Sequence, residues 1–125
     1  FQTYTVDKQV SDSAGTATAL LCGVKTNSKV VGVDYRVKPN DCTTMTEDTK
    51  LTSIFTSAQK AGKRTGVITN NRLTHASLAP VYAHSASRAW ETNGNIDALN
   101  RENCPEFKDL ARQLVEDEPG NKINV

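Results

Sequence analysis

An α/β fold is predicted, a piece of a largely parallel central sheet flanked by helices. Three observations carry it. β-branched runs alternate along the chain with stretches of helical spacing. Each helical stretch has its own start or stop signal, such as Asp12-Ser13 before the first and Gly23 after it. And 125 residues make at most one domain, so these segments must share one core.

Taken in order, residues 1–6 alternate like a strand. Residues 12–23 read as a helix; Asp12 or Ser13 can cap it, and Gly23 ends it. Residues 29–35 are β-branched and extended. Residues 36–43 form a turn-rich loop around Pro39-Asn40-Asp41. Thr44 with Glu47 fits a capping box, after which Leu51, Ile54, Phe55 and Ala58 follow helical spacing up to Gly62. Residues 65–69 read as a short buried strand, and 75–86 as a helix with Pro80 near its first turn. Residues 88–100 are polar loop. Asn103 or Cys104 caps a final helix with Pro105 near its start, an apolar face of Phe107, Leu110, Ala111 and Leu114, and a stop at Pro119-Gly120.

The bulk numbers exclude some classes. A net charge of +1 offers no electrostatic reason for a nucleic acid or an anionic membrane as partner. No apolar run approaches the ~20 residues of a membrane-spanning helix. Three cysteines are too few for a disulfide framework, and spacing does not choose among the three pairings. Cys22 lies in an apolar helix, where a buried free thiol is the usual state.

The chemistry concentrates in Val10-Ser11-Asp12-Ser13-Ala14-Gly15-Thr16-Ala17-Thr18. One serine follows an acid and heads a run of small residues. A helix starting there offers N–H donors and partial positive charge to an anion, with small side chains out of the way. In open α/β sheets, sites form at the carboxyl ends of strands; the turn at Ser13 and the segment at His75 each follow a predicted strand. Other signatures are missing. Ser11 stands at the first glycine of Gly-x-Ser-x-Gly, and Gly62-Lys63 is followed by Arg64, so neither a nucleophile elbow nor a P-loop is present. No Cys or His pair has zinc-site spacing.

The nonapeptide resembles the active-site segment of alkaline phosphatases. The resemblance continues through Leu20-Leu21-Cys22-Gly23-Val24-Lys25, Thr65-Gly66-Val67-Ile68-Thr69, Thr74-His75-Ala76-Ser77 and Tyr82-Ala83-His84-Ser85-Ala86-Ser87-Arg88. The order and spacings look most like the animal members, and among those the arthropod enzymes.

The resemblance implies phosphate monoester hydrolysis through a phosphoserine at Ser13, which is also a zinc ligand. It implies that Arg88 binds the phosphate and that Asp12 positions Arg88. It makes Ser77 a magnesium ligand and His75 an outer-shell group near the magnesium, and it leaves His84 structural. It implies two zinc ions and one magnesium per site, with most ligands outside residues 1–125. It also implies a Cys42–Cys104 disulfide, a homodimer, and a place on the outer cell surface through a lipid (GPI) anchor, or secretion. The chain has no initiator Met and ends on a strand-like start at Lys122-Ile123-Asn124-Val125. Because family members are several times longer, residues 1–125 are expected to be a partial catalytic domain, incomplete at both ends and inert by itself. Two rivals stand beside this reading: a non-catalytic cell-surface binding protein on the same fold, and a serine acyl hydrolase pairing Ser13 with His75 or His84.

Overall fold

Residues 3–124 are described by a computed structural model. Their regular elements are four short helices, α1 (Ser13–Cys22), α2 (Ile54–Lys60), α3 (Ala98–Asn103) and α4 (Leu110–Glu116), joined by 3₁₀ turns. Pairing of extended segments among them is limited to two isolated antiparallel bridges, Val31 with Ser85 and Val33 with Lys50.

Helix α1 matches the sequence closely. Asp12 is the N-cap, its carboxylate accepting the Gly15 N–H, and Gly23 closes the helix at φ 74° with its N–H on the Ala19 carbonyl. Gly15 has a steric reason to be glycine: a Cβ there would overlap Thr5 Cγ2 and crowd the Asp12 carboxylate. The buried face of α1 packs on the turn Ala79–Val81.

Residues 30–33 form the wall between two apolar clusters. Val31 joins Ala14, Tyr82 and Leu110 on one side. Val30 and Val33 join Val37, Trp90 and Ile96 on the other. Strict strand alternation would put Val30 and Val33 on opposite faces. Gly32, at φ 61°, turns the chain between them, and its missing Cβ admits the Ala83 carbonyl.

Several expected elements form differently. Of residues 1–6, Phe1 and Gln2 lie outside the described residues, and Thr3 to Val6 is irregular. Residues 65–69 have no regular structure and pair with no strand among the described residues. Thr65 is tied down by its carbonyl, which accepts the Asn124 N–H at 2.9 Å, and Val67 packs on the core, while Ile68 is 94% exposed. β-propensity alone does not make a strand; a strand needs a neighbour to pair with.

The helix expected over 75–86 is instead a series of turns around Ala79–Val81. Pro80 has no N–H to continue an α ladder, and the Ser77 N–H is taken by the His75 ring. The capping box is Thr46 with Thr49, not Thr44 with Glu47. Helix α2 starts only at Ile54, under a Ser53 cap, because Leu51 donates its N–H to the Gly32 carbonyl and Lys50 bridges to Val33.

Cys104 ends α3 rather than opening the last helix. Asp109 caps α4, accepting the Arg112 N–H at 2.7 Å. Within the expected polar loop, Trp90 and Ile96 are buried, and Trp90 meets the Phe107 ring edge-on with centroids 5.3 Å apart. Cys42 and Cys104 are joined in a disulfide beside this pair, and Cys22 is a free thiol.

Candidate active site

The site begins at the N-terminus of α1. The first peptide N–H groups of a helix lack helical acceptors. Asp12 supplies one: Oδ1 accepts from Gly15 N at 3.1 Å and from Lys29 N at 3.2 Å. Its other oxygen, Oδ2, accepts from Arg88 Nη1 at 3.1 Å. Burial works to raise the Asp12 pKa, but those two N–H groups and the guanidinium outweigh it and hold the carboxyl below its usual range. Asp12 therefore does two jobs, capping α1 and restraining Arg88.

Ser13, the first residue of α1, is half-buried. Its hydroxyl makes no hydrogen bond within the described residues. The helix start brings partial positive charge to that oxygen.

Lys29 lies between the two halves. Its N–H goes to Asp12, and its carbonyl accepts the Arg88 N–H at 2.8 Å. It is held at φ 72°, a left-handed conformation that costs a side-chain-bearing residue about 1–2 kcal/mol. The paired hydrogen bonds on either side of its Cα impose that conformation.

Arg88 also meets His75, with Nη2 3.4 Å from Nε2. The other ring nitrogen, Nδ1, accepts the Ser77 N–H at 3.2 Å and lies 3.0 Å from Ser77 Oγ. The structure thus strings Asp12, Arg88, His75 and Ser77 into one hydrogen-bonded line, with Ser13 adjoining Asp12 in the chain.

No hydrogen bond joins Ser13 to either histidine among the described residues, so a Ser–His dyad is not formed. Both nitrogens of His75 face Ser77 and Arg88. His84 Nε2 lies 2.9 Å from the Leu51 carbonyl, and burial pushes the His84 ring below its usual pKa, as expected for a structural histidine.

The donor set bears on metals. Among the described residues, no group of three or more His, Cys, Asp or Glu is placed to hold an ion. The Asp12 oxygens are committed to protein donors. What remains is two hydroxyls, Ser13 and Ser77; a hydroxyl oxygen suits a hard cation, but as one ligand among several. The residues present fit a share of a metal site rather than a whole one.

Asp12, Ser13, His75 and Arg88 are half-buried, and Ser77 is exposed. A groove of about 390 Å³ lies along α1, lined by Tyr4, Ser11, Thr16 and Leu20, and its lining includes none of Ser13, Arg88, His75 and Ser77. Beside the site lies a group the sequence did not single out: Glu91, which accepts hydrogen bonds from Arg72 and Thr74. Glu91 falls in a stretch read as polar loop, and no motif marked it.

Comparison with known proteins gives one consistent result. The family model for alkaline phosphatase matches residues 1–125. Alkaline phosphatase 4 of Drosophila melanogaster is 47% identical over 125 residues, which cover 99% of this chain and 20% of that protein. The tissue-nonspecific alkaline phosphatase of Gallus gallus is 48% identical over 124 residues, covering 98% of this chain and 23% of that one. The membrane-bound alkaline phosphatase of Bombyx mori is 43% identical, over 99% of this chain and 22% of its own.

Among solved structures, the alkaline phosphatase of the Antarctic bacterium TAB5 superposes with a TM-score of 0.59 at 33% identity, over 70% of this chain and 22% of that one. A variant of the TAB5 enzyme with magnesium bound in its M3 site gives 0.65 at 27% identity, over 94% of this chain and 26% of that one. The chain spans about a fifth of the length of the curated relatives it matches.

Proposed function

Because this chain belongs to the alkaline phosphatase family, we propose that the protein carrying it hydrolyses phosphate monoesters with Ser13 as nucleophile. The observation that most supports the reading is the Asp12–Arg88 contact. It sets a guanidinium beside the helix start that bears an unengaged serine hydroxyl. A planar guanidinium grips two phosphate oxygens at once, and phosphoryl transfer depends mostly on such positioning and charge neutralisation.

The reaction has two steps. Ser13 Oγ forms a bond to phosphorus as the bond to the leaving oxygen breaks; the hydroxyl proton passes to solvent, and the leaving oxygen takes a proton from solvent and departs as the alcohol. Water then attacks the phosphoserine, the P–Oγ bond breaks with a proton of that water passing to Ser13 Oγ, and inorganic phosphate leaves. Arg88 holds the non-bridging oxygens through both steps, and Asp12 keeps Arg88 aimed. Ser13 would be a ligand to one of two zinc ions and Ser77 to one magnesium, with His75 in the outer shell; the ions supply Lewis-acid charge when bound. The remaining metal ligands would lie outside residues 1–125, a partial catalytic domain.

Homodimer assembly and an outer-surface or secreted location belong to the same proposal, through a GPI anchor in the first case. A relative described as membrane-bound supports the location. No described helix is long and apolar enough to cross a membrane. The Cys42–Cys104 disulfide favours an oxidising compartment.

The test is to incubate the protein with labelled phosphate at acidic pH, quench it and map the label. Label on Ser13, lost in Ser13→Ala, is the expected result. Label elsewhere would remove Ser13 from the role. An unlabelled protein with no hydrolysis, its metals in place, would favour the binding-protein alternative.

A further inference from the structure

The line from Asp12 to Ser77 contains one weak link. Arg88 Nη2 and His75 Nε2 stand 3.4 Å apart, at the long limit of a hydrogen bond, and that contact is too slight to hold two loops in register. Something else must keep the segment bearing His75 against the segment bearing Arg88.

Glu91 does so. Arg72 Nη2 donates to its Oε1 at 2.8 Å and Arg72 Nε to its Oε2 at 2.9 Å, a two-pronged charged pair. Thr74 donates its hydroxyl to Oε2 as well. The Glu91 side chain is only 20% exposed, although Arg72 is 63% exposed. Arg72 and Thr74 hold its carboxyl, despite some burial, down at about 2.

Both ends of this clasp are anchored. On one side, the Glu91 carbonyl accepts the Ala111 N–H at 3.1 Å and the Trp90 carbonyl accepts the Leu110 N–H at 3.0 Å, so the backbone is docked on the start of α4. On the other, the Arg72 carbonyl accepts the His75 N–H at 3.0 Å, and the Leu73 carbonyl accepts the hydroxyl of buried Tyr82 at 2.8 Å. His75 directly follows the clasped turn, and Arg88 lies three residues before Glu91.

We propose that Glu91 is a positioning residue for phosphate binding: through Arg72 and Thr74 it fixes the turn bearing His75 and Ser77 against the segment bearing Arg88. The inference rests on Arg88 being the phosphate clamp.

The test measures inhibition by inorganic phosphate, together with kcat and the unfolding midpoint, in the metal-loaded protein that carries this chain. Glu91→Ala and Arg72→Ala are each expected to weaken phosphate inhibition by roughly 5- to 30-fold. The double variant should be no worse than either single one, because both break the same clasp. The exchanged pair, Glu91→Arg with Arg72→Glu, should recover much of the affinity, which a loss of packing alone would not allow. An unchanged inhibition constant in both single variants overturns the proposal, and so do effects that multiply in the double variant. A fall in the unfolding midpoint with phosphate affinity intact also overturns it. Should the alanine variants fail to fold, Thr74→Val and the exchanged pair carry the same comparison. An unaltered protein that phosphate does not inhibit would overturn the phosphatase reading too; inhibition that survives loss of the clasp overturns the positioning role alone.

Discussion

Asp12 and Arg88, 76 residues apart in sequence, are tied together twice. Their side chains meet at 3.1 Å, and the main chain of Lys29 links Asp12 Oδ1 to the Arg88 N–H. The double tie fixes both the side chain and the backbone of Arg88 to the α1 N-terminus, beside Ser13.

Arg88→Ala should weaken inhibition by inorganic phosphate by about 10- to 150-fold, the worth of a charge-assisted, two-pronged contact of roughly 1.5–3 kcal/mol. The loss of stability should be the smaller effect, since Asp12 keeps the Gly15 and Lys29 N–H donors when the guanidinium is gone. Phosphate titration of both proteins checks the first point and a denaturant curve the second.

Lys29→Gly should stabilise the fold by about 1 kcal/mol, because glycine adopts φ 72° without a Cβ clash. Its N–H and carbonyl remain to serve Asp12 and Arg88. Equilibrium unfolding in urea reads the effect. A destabilised variant would show that the lysine side chain holds something the backbone alone does not.

Stability should fall in acid through Glu91 and Asp12. Both carboxyls titrate lower in the folded chain than their ordinary values, Glu91 at about 2 against 4.5. A depressed carboxyl contributes fully above its unfolded value and loses that contribution as pH drops towards its folded value. For Glu91 the window therefore runs from about 4.5 down to about 2. The pH dependence of unfolding, compared with Glu91→Gln, should be shallower in the variant across that window. Parallel curves would disprove the linkage.

Cys42→Ser should cost ~4 kcal/mol on the chain-entropy argument, the loop being 62 residues long. Non-reducing peptide mapping should find Cys42 with Cys104 and Cys22 unpaired. Cys22 should also alkylate slowly near neutral pH, since burial pushes its thiol up to about 11.

The 125-residue chain by itself, supplied with zinc and magnesium, should not turn over a chromogenic phosphate ester. An unassisted serine hydroxyl is a weak nucleophile, and the described residues offer too few donors to bind the ions that would activate it. Hydrolysis that is lost in Ser13→Ala would contradict this.

Much of α1 was legible because its signals are local. Asp12 caps within three residues, Gly23 closes at the expected point, and the helix in between needs no partner to be recognised. What failed were inferences that depended on neighbours. Residues 65–69 carry strand residues but meet no strand. The Thr44–Glu47 box lost to one at Thr46 because the Thr44 hydroxyl accepts the Lys38 N–H and donates to the Asp41 carbonyl. Ser13, Asp12, Arg88, His75 and Ser77 stand out in the sequence only through a motif resemblance, and the structure adds the contacts that join four of them. Glu91 and Lys29 had no motif to announce them. Their importance comes from partners at residues 72 and 74 for one, and at 12 and 88 for the other, which sequence proximity does not reveal.

The Cys42–Cys104 bond closes the chain into a ring that contains His75, Ser77, Arg88 and Glu91 and leaves Asp12, Ser13 and Lys29 outside. Lys63 and Arg64 are exposed on that ring. A trypsin-like protease cutting there would produce a nicked protein, not two fragments, with His75 and Arg88 still on one covalent piece. Only a reductant would then remove the covalent tie between the piece bearing Asp12 and Ser13 and the piece bearing His75 and Arg88, so a cut at this spot stays covalently silent until the redox environment changes.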